Sequence, residues 1–409
     1  MTIRSRIMWL CAGSVAVTAL MSVGLLFRHS AAVRASIAGV VHDTAQRECE
    51  RAVRDVWAML QGQHAFAERA VLDELQAAQR RVHDAGGVAF DGPVFRWTTL
   101  NQSTGETREA SLCTLRLGGR TVAPLENPGQ AAFVDGLGTG PNTVASIFQR
   151  MDYRGDLLRV ATTVRRDDGQ RAVGSYIPAV EPDGRENEVI RSLVARRTYL
   201  GRAWVMGRWH IAAYAPIETG RRRTAGAVGV AIALEHAARP AVSAAAKLRV
   251  GRTGGVWLIE GGGEGRSHVH ASPRNGKPTD AAVLATLHAA RTLPPGAVVS
   301  QCHTGDVQHH ASDPNSRALA YAYFEPWDWV IVAAAPEHEF ADAVAPIEAS
   351  LRMQLRATII GATILLGLVW SVAALAALRI VRPLSQLAGA MDAMTARIAA
   401  TLPEGRTQG

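Results

Sequence analysis

Lysine is nearly absent from this chain: of its 44 basic residues only Lys247 and Lys277 are lysines, so the net charge of +8 rests on scattered arginine. No dense basic tract with interleaved aromatic residues occurs, which excludes the electrostatic footprint of a nucleic-acid-binding surface. Cysteine is scarce too. Cys11 falls within an apolar run and leaves Cys49, Cys113 and Cys302, an odd number without paired spacing, so at most one bridge forms within the chain and a disulfide framework is excluded. There is no serine elbow, no helical pair of zinc-binding histidines and no pair of carboxylates in a catalytic setting, and the sequence therefore reads as a non-enzyme. The glycines at 136, 138 and 140 run into Pro141 with no helix behind them, which makes a turn and not a phosphate loop.

Charge is missing altogether from two stretches. Ile7–Phe27 and Ala357–Leu378 each hold about 20 uncharged, mostly apolar residues, enough to cross roughly 30 Å of hydrocarbon as helices, and both are expected to span a membrane. The alternative for the first is a cleaved signal peptide, since Arg4 and Arg6 precede it and Ser30, Ala31 and Ala32 follow. The run is longer than a signal core, however, and continues as a helix. Arg4 and Arg6 before the first span and Arg379 and Arg382 after the second place both termini in the cytoplasm, against the weaker pull of Arg28, Arg352 and Arg356. The expected protein is a two-pass protein of the cell inner membrane with residues 28–356 in the periplasm.

Proline is missing from His29 to Ala85, and apolar residues recur there on one helical face: Val33, Ile37 and Val40, then Val53, Val56 and Leu60, then Leu72, Leu75 and Val82. This predicts one long helix, or two in line, closed by Gly86 and Gly87. Short apolar runs split by turn residues follow. Ser111–Leu117, Val144–Phe148, Leu157–Val164, Arg171–Ile177, Ala203–Met206, His210–Pro216 and Ala225–Leu234 read as strands, with a short helix at Glu188–Arg197. A second cycle repeats the texture: a helix at Glu235–Leu248, strands at Gly255–Glu260, His268–Ala271, Ala297–Cys302, Ala318–Phe324 and Trp329–Ala335, and a helix near Thr279–Thr292. Beyond the second span, Leu384, Leu387, Met391, Met394 and Ile398 make a coiled-coil-like seam that Pro403 and Gly405 close, leaving no room for an output domain.

The order of span, long helix, two antiparallel cycles, span and heptad helix resembles a bacterial receptor of the chemoreceptor or sensor-kinase type. Within it, Thr143-Val-Ala-Ser-Ile-Phe148, Leu158-Arg-Val-Ala-Thr-Thr163, Gly169-Gln-Arg-Ala-Val-Gly174, Tyr199-Leu-Gly-Arg-Ala-Trp204 and Tyr214-Ala-Pro-Ile217 closely resemble the fused Cache 3/Cache 2 sensor domain. Gly254-Gly-Val-Trp-Leu-Ile259, the loop with His270 up to Gly276-Lys277, and Trp327-Asp-Trp-Val-Ile331 are similar to the Cache 2 part. Arg382-Pro-Leu-Ser-Gln-Leu387 looks like the first helix of a HAMP linker, whose second helix is missing. The resemblance implies an α+β membrane protein with a tandem PAS-like sensor. Its parts are a cytoplasmic start (1–6), a first span (7–27), a stalk helix (28–85), a membrane-distal Cache 3-like module (86–234), a membrane-proximal Cache 2-like module (235–345), a helix running into the second span (346–378) and a partial HAMP-like helix (379–402). It further implies a dimeric transmembrane sensor for a small extracytoplasmic signal in chemotaxis or signal transduction, with a separate cytoplasmic signalling partner. The competing reading is a membrane-anchored interaction module that regulates a separate kinase or chemoreceptor.

In that family the ligand sits on one face of a curved sheet while the long helix covers the other, so strand parity proposes the pocket. Along 157–164, Leu158, Val160 and Val164 alternate with Arg159, Ala161 and Thr163. A guanidinium in a dry cleft suits a carboxylate, which makes Arg159 and Thr163 the candidate anion contacts, while a structural ion pair is the other use for Arg159. Tyr199, Trp204 and Tyr214 are the candidate aromatic walls. His268, His270, Cys302, His303, His309 and His310 are the one set with metal-like spacing, but nothing in the sequence brings their loops together, and no metal or cofactor is expected.

Overall fold

The computed structural model describes residues 3–121, 128–140, 142–218, 224–260, 269–272, 287–303, 317–341, 345–376, 379 and 382–401. The chain forms two compact units, one holding residues 45–305 and 315–336 and the other the remaining residues.

A single helix, α1 (Ile3–Asp84), opens the chain. Besides Val53, its buried positions are Val41, Ala45, Cys49, Ala52, Val56 and Leu60, then Ala67, Val71, Leu75, Ala78 and Val82. These fall in steps of three and four, which at 3.6 residues per turn stay on one stripe. The stripe departs from the expected one by a residue in two places. Val41 and Val71 are buried, whereas Val40 is half exposed and Leu72 only partly covered. α1 stops because Gly86 takes φ +92° and the Gly87 N–H returns to the Val82 carbonyl at 2.9 Å. A side chain at Gly86 would also meet the Gly118 Cα at 2.7 Å.

The larger unit holds two main sheets. The first has eight strands: β1 (Val94–Asn101), β2 (Thr107–Cys113), β3 (Thr143–Arg150), β4 (Leu157–Thr162), β5 (Ser175–Ile177), β6 (Tyr199–Val205), β7 (Arg208–Glu218) and β8 (Thr224–Ala233). They lie in the order β2-β1-β5-β4-β3-β8-β7-β6, antiparallel except for β1 beside β5. A short helix, α2 (Glu188–Val194), is capped by the Asn187 side chain on the Val189 and Ile190 N–H groups. α3 (Leu234–Lys247) then leads to the second sheet: β9 (Arg249–Val250), β10 (Gly254–Glu260), β11 (Val269–Ala271), β12 (Val298–His303), β13 (Arg317–Phe324) and β14 (Trp329–Pro336). Its order is β9-β10-β14-β13-β12, with β11 beside β10.

The sequence missed β1, although Trp97, Thr99 and Asn101 are buried in alternation along it. The helix expected near Thr279–Thr292 lies outside the described residues up to 286, and residues 287–290 are helical.

α1 packs on the second sheet. The Cys49 thiol donates to the Ala318 carbonyl at 3.5 Å, the Ser300 hydroxyl to Glu50 at 2.7 Å and the Trp327 indole to His64 Nδ1 at 3.1 Å, while Trp57 meets Phe324 edge to face. The register places Ala318, Ala320 and Ala322 of β13 on that face beside Ala333 and Ala335 of β14, all fully buried. Their small size lets the helix approach this closely. Leu319, Tyr321, Val332 and Ala334 point to the opposite face.

Among the described residues one segment, Arg352–Val372 of α4 (Ala345–Ala376), is long and apolar enough to cross a membrane. It starts earlier than the expected Ala357, and residues 377 and 378 lie outside the described part. The first expected span forms the start of α1, where Val17, Met21, Leu25 and Phe27 are exposed. α5 (Arg382–Thr401) carries the heptad seam with Leu387, Met391 and Met394 exposed.

The stripe on α1 has a direct test. Leu60→Ala, at a fully buried site, should cost on the order of 2 to 5 kcal/mol in chemical denaturation of the solubilised chain. Phe66→Ala, a larger truncation at an exposed site on the same helix, should change stability by less than about 0.5 kcal/mol.

Candidate functional site

On the first sheet the face that gathers Phe148, Leu157, Val164, Ala203, Ala212, Tyr214 and Ala227 into one core is covered by Val189, Ile190 and Leu193 of α2. Arg159 of β4 shares this face, because it pairs across the strands with Phe148 of β3. It is 1% exposed. One terminal nitrogen donates to the Ser175 hydroxyl and the other to Gln102 Oε1 at 3.2 Å, while the guanidinium carbon stands 5.1 Å from the Phe148 ring centre. Its Nε–H is buried without an acceptor. Among the described residues no carboxylate lies within ion-pair distance of it, so the structural ion pair that was the alternative use for this arginine is not formed.

Each partner is itself held. The Gln102 Nε2 donates to the Trp204 carbonyl at 2.8 Å, which turns its oxygen toward Arg159, and Ser175 spends its own proton on the Ala172 carbonyl at 2.7 Å. Neither residue was singled out from the sequence, because Ser175 reaches β4 through the pairing of β5 with β4 and Gln102 through the parallel pairing of β1 with β5. Burial lowers the Arg159 pKa to about 10, with Tyr214 opposing and Arg166 adding to the fall. Burial raises Tyr214 to about 12 and pushes Tyr199 up further.

The expected site residues divide. Tyr214 and Tyr199 flank Arg159's face with ring centres 6.2 Å apart, and Tyr214 also meets Phe148 at 5.7 Å. Gly229 makes room for that pair, since a side chain there would meet the Tyr214 ring at 2.5 Å. Trp204 is not brought to this face. It packs edge-on against Trp209 on the other side of its strand and contributes only its carbonyl. Thr163 is also corrected. Ile147 pairs with Ala161 but Phe148 with Arg159, so Val160 is the extra residue of a β-bulge that resets the alternation. Thr162 consequently shares the Arg159 side, bonded to Ser146 at 2.7 Å, while the Thr163 hydroxyl accepts from the Ala145 N–H.

The face is wired to α1. Tyr199 donates to the Arg202 carbonyl at 2.7 Å, the Arg202 guanidinium donates to the Trp327 carbonyl at 2.6 Å, and the Trp327 indole reaches His64. Asp328, in the left-handed region at φ +55°, accepts from Tyr323 at 2.9 Å and lies 3.2 Å from Arg291.

Of the candidate metal set, His270 stacks on Trp329 at 4.1 Å with Glu260 3.4 Å away. His268, His309 and His310 lie outside the described residues, as do the side chains of Cys302 and His303. Among the described residues no three such side chains could hold a metal ion.

A family model for the Cache 3/Cache 2 fusion domain matches residues 34–350. Among solved structures, the ligand-binding domain of Mlp24 with asparagine is 12% identical, covers 76% of this chain and 99% of its own, and has a TM-score of 0.35. The extracellular domain of the histidine kinase mmHK1S-Z2 is 12% identical over 74% of this chain and 99% of its own, at a TM-score of 0.34. The periplasmic sensory domain of the Campylobacter jejuni chemoreceptor Tlp1 is 9% identical over 73% and 98%, at 0.32. No curated protein matches.

His210 of β7, which feels the charge of Arg159, gives this part of the sheet a pH signature. Burial lowers its pKa from 6.5 to about 4; the neighbouring Arg159 and Arg208 lower it further, while the Arg208 carbonyl and Glu235 oppose this. The folded state therefore binds fewer protons than the unfolded state between those values, and stability should be complete above pH 6.5 and fall as the pH drops toward 4, by on the order of 3 kcal/mol. His210→Gln should flatten that part of the stability profile measured by denaturant midpoint.

Proposed function

The chain belongs to the Cache 3/Cache 2 fusion family, and from that premise we propose that it is a transmembrane sensor whose first sheet binds a small anionic signal at Arg159. The observation that carries this is a buried guanidinium with no counter-ion among the described residues. Burying a charge without a partner costs several kcal/mol, and an arriving carboxylate both relieves that cost and accepts the orphaned Nε–H. Gln102 and Ser175 hold the guanidinium in place, Tyr199 and Tyr214 wall the ligand, and α2 closes over it. The function is binding, with no chemistry performed on the ligand.

In this reading Ile7–Phe27 and the apolar run of α4 from Ala357 both cross the inner membrane, residues 28–356 are periplasmic, and the first sheet is the membrane-distal module. The hydrogen-bonded line from Tyr199 through Arg202 and Trp327 to His64 supports a route by which an occupied pocket biases α1, and thus the spans. The exposed apolar seam of α5 supports a homodimer and a cytoplasmic partner that reads the signal. The HAMP-like role of α5 and the module boundaries at 234/235 and 345/346 belong to the same proposal.

The binding test uses the full chain in nanodiscs and a panel of amino acids and short carboxylates. Arg159→Met removes the charge while keeping apolar bulk. Because no acid is left unpaired, its ligand-free melting temperature should stay near that of the unaltered chain. The ligand-induced rise should disappear, with affinity lower by roughly 30-fold to 1000-fold for a lost charge-assisted pair of about 2 to 4 kcal/mol. A collapse in ligand-free stability would show a structural role instead. For the topology, a reporter active only in the periplasm should work when fused after Gly220, and activity there from a cytoplasm-only reporter would overturn the two-pass arrangement.

A further inference from the structure

His64 of α1 ends the hydrogen-bonded line from Tyr199, and its two ring nitrogens have fixed roles. The Trp327 indole can only donate, so His64 Nδ1, 3.1 Å away, accepts and carries no proton. The neutral ring therefore keeps its proton on Nε2, which lies 3.3 Å from Glu68 Oε1, one turn further along the same helix. Trp327 is fully buried in the short turn Glu325–Trp327 between β13 and β14. The Trp327 and Phe324 rings stand edge to face with the imidazole, at 6.1 and 6.2 Å between centres.

A second proton on this ring has one place to go. It sits on Nδ1, facing the indole N–H, and two donors make no bond. The buried indole then loses its acceptor, which is costly for a polar group shut away from water. The same proton gives the imidazole a full charge beside the Glu68 carboxylate, so what α1 loses across to the turn it gains within itself. The surroundings offer the ring no other charged partner among the described residues. Glu68 faces it from α1, and the turn presents the uncharged rings of Phe324 and Trp327. Glu325 is exposed to solvent, while Arg202 donates to the Trp327 carbonyl and lies 3.9 Å from Asp328. Burial lowers the His64 pKa from 6.5 and Glu68 opposes this, so the bond to Trp327 is complete above pH 6.5 and is lost as the pH falls below it. We propose that His64 is a proton-operated joint: acidification breaks its bond to Trp327, turns the imidazole to Glu68 and loosens α1 from the second sheet at this level. α1 runs unbroken from His64 back to Ile3, so the joint acts on the helix that holds the first apolar run. On the sensor reading above, the same event cuts the line from Tyr199 to α1, because Trp327 is its last step before the helix. The joint itself needs no ligand at Arg159.

The test takes the full chain in nanodiscs, without added ligand, from about pH 7.5 to about pH 5. Two readouts follow the joint: the indole N–H resonance of Trp327, assigned by its loss in Trp327→Phe, and amide hydrogen exchange from Leu60 to Glu68, corrected for the intrinsic effect of pH. On acidification the resonance should shift and the exchange should quicken by at least about fivefold. In His64→Gln, whose amide oxygen accepts the indole N–H but does not titrate, both changes should vanish while circular dichroism stays that of the unaltered chain. Glu68→Gln, at a partly exposed position, should move the step to lower pH, since it removes the charge that favours the protonated ring. Arg159→Met and His210→Gln should leave the step in place, which separates it from the anion site and from the other buried histidine. The proposal is overturned if the unaltered chain shows no step, if His64→Gln retains it, or if Glu68→Gln moves it upward or not at all. Should His64→Gln fail to fold, the direction of the shift in Glu68→Gln decides alone.

Discussion

A guanidinium buried with no acid beside it among the described residues is the constraint on which the first sheet depends. Arg159 sits at 1% exposure between an amide, a hydroxyl and a phenyl ring, none of which neutralises it. The surroundings are arranged to tolerate that. Gln102 is oriented by the Trp204 carbonyl, Ser175 by the Ala172 carbonyl, and His210 stays neutral at physiological pH, so a second charge is not added. Structural charges are normally buried in pairs, and leaving one unpaired is costly.

Much of the architecture was legible because it follows from periodicity. The strands at 143–150, 157–162, 208–218 and 224–233 carry apolar runs between turn residues, and α1 carries an uninterrupted helical pattern without proline. The candidate site was legible to the extent that it depends on single strands: Arg159, Tyr199 and Tyr214 share a face. It was illegible where it depends on pairing. A bulge at Val160 exchanges Thr162 for Thr163, and nothing local in the sequence marks it, since both residues are threonine. Trp204 lies one position off the pocket parity of β6, where Tyr199, Ala203 and Val205 point in. Gln102 and Ser175 come together only through a parallel contact between segments more than seventy residues apart.

Alanine plays a part that composition alone hides. In the fold, Ala45, Ala52, Ala67 and Ala78 alternate with larger residues along the buried stripe of α1, and five alanines of β13 and β14 meet the helix. The helix–sheet contact is close-packed through small side chains, so adding even one methylene on either side forces the backbones apart.

The contact between α1 and the second sheet joins residues far apart in the chain, at a sequence separation of 269 for Cys49 and Ala318 and of 263 for His64 and Trp327. Such separation sets an order of events during synthesis. α1 emerges first and forms on its own, because helices need only local bonds, yet the alanine-rich strands that cover its apolar stripe are among the last of the sheet to arrive. Throughout that interval the face from Cys49 to Leu60 is exposed and adhesive, competent to pair with the same face of another nascent chain. Final closure of the sheet therefore competes with association while β13 and β14 are still to arrive.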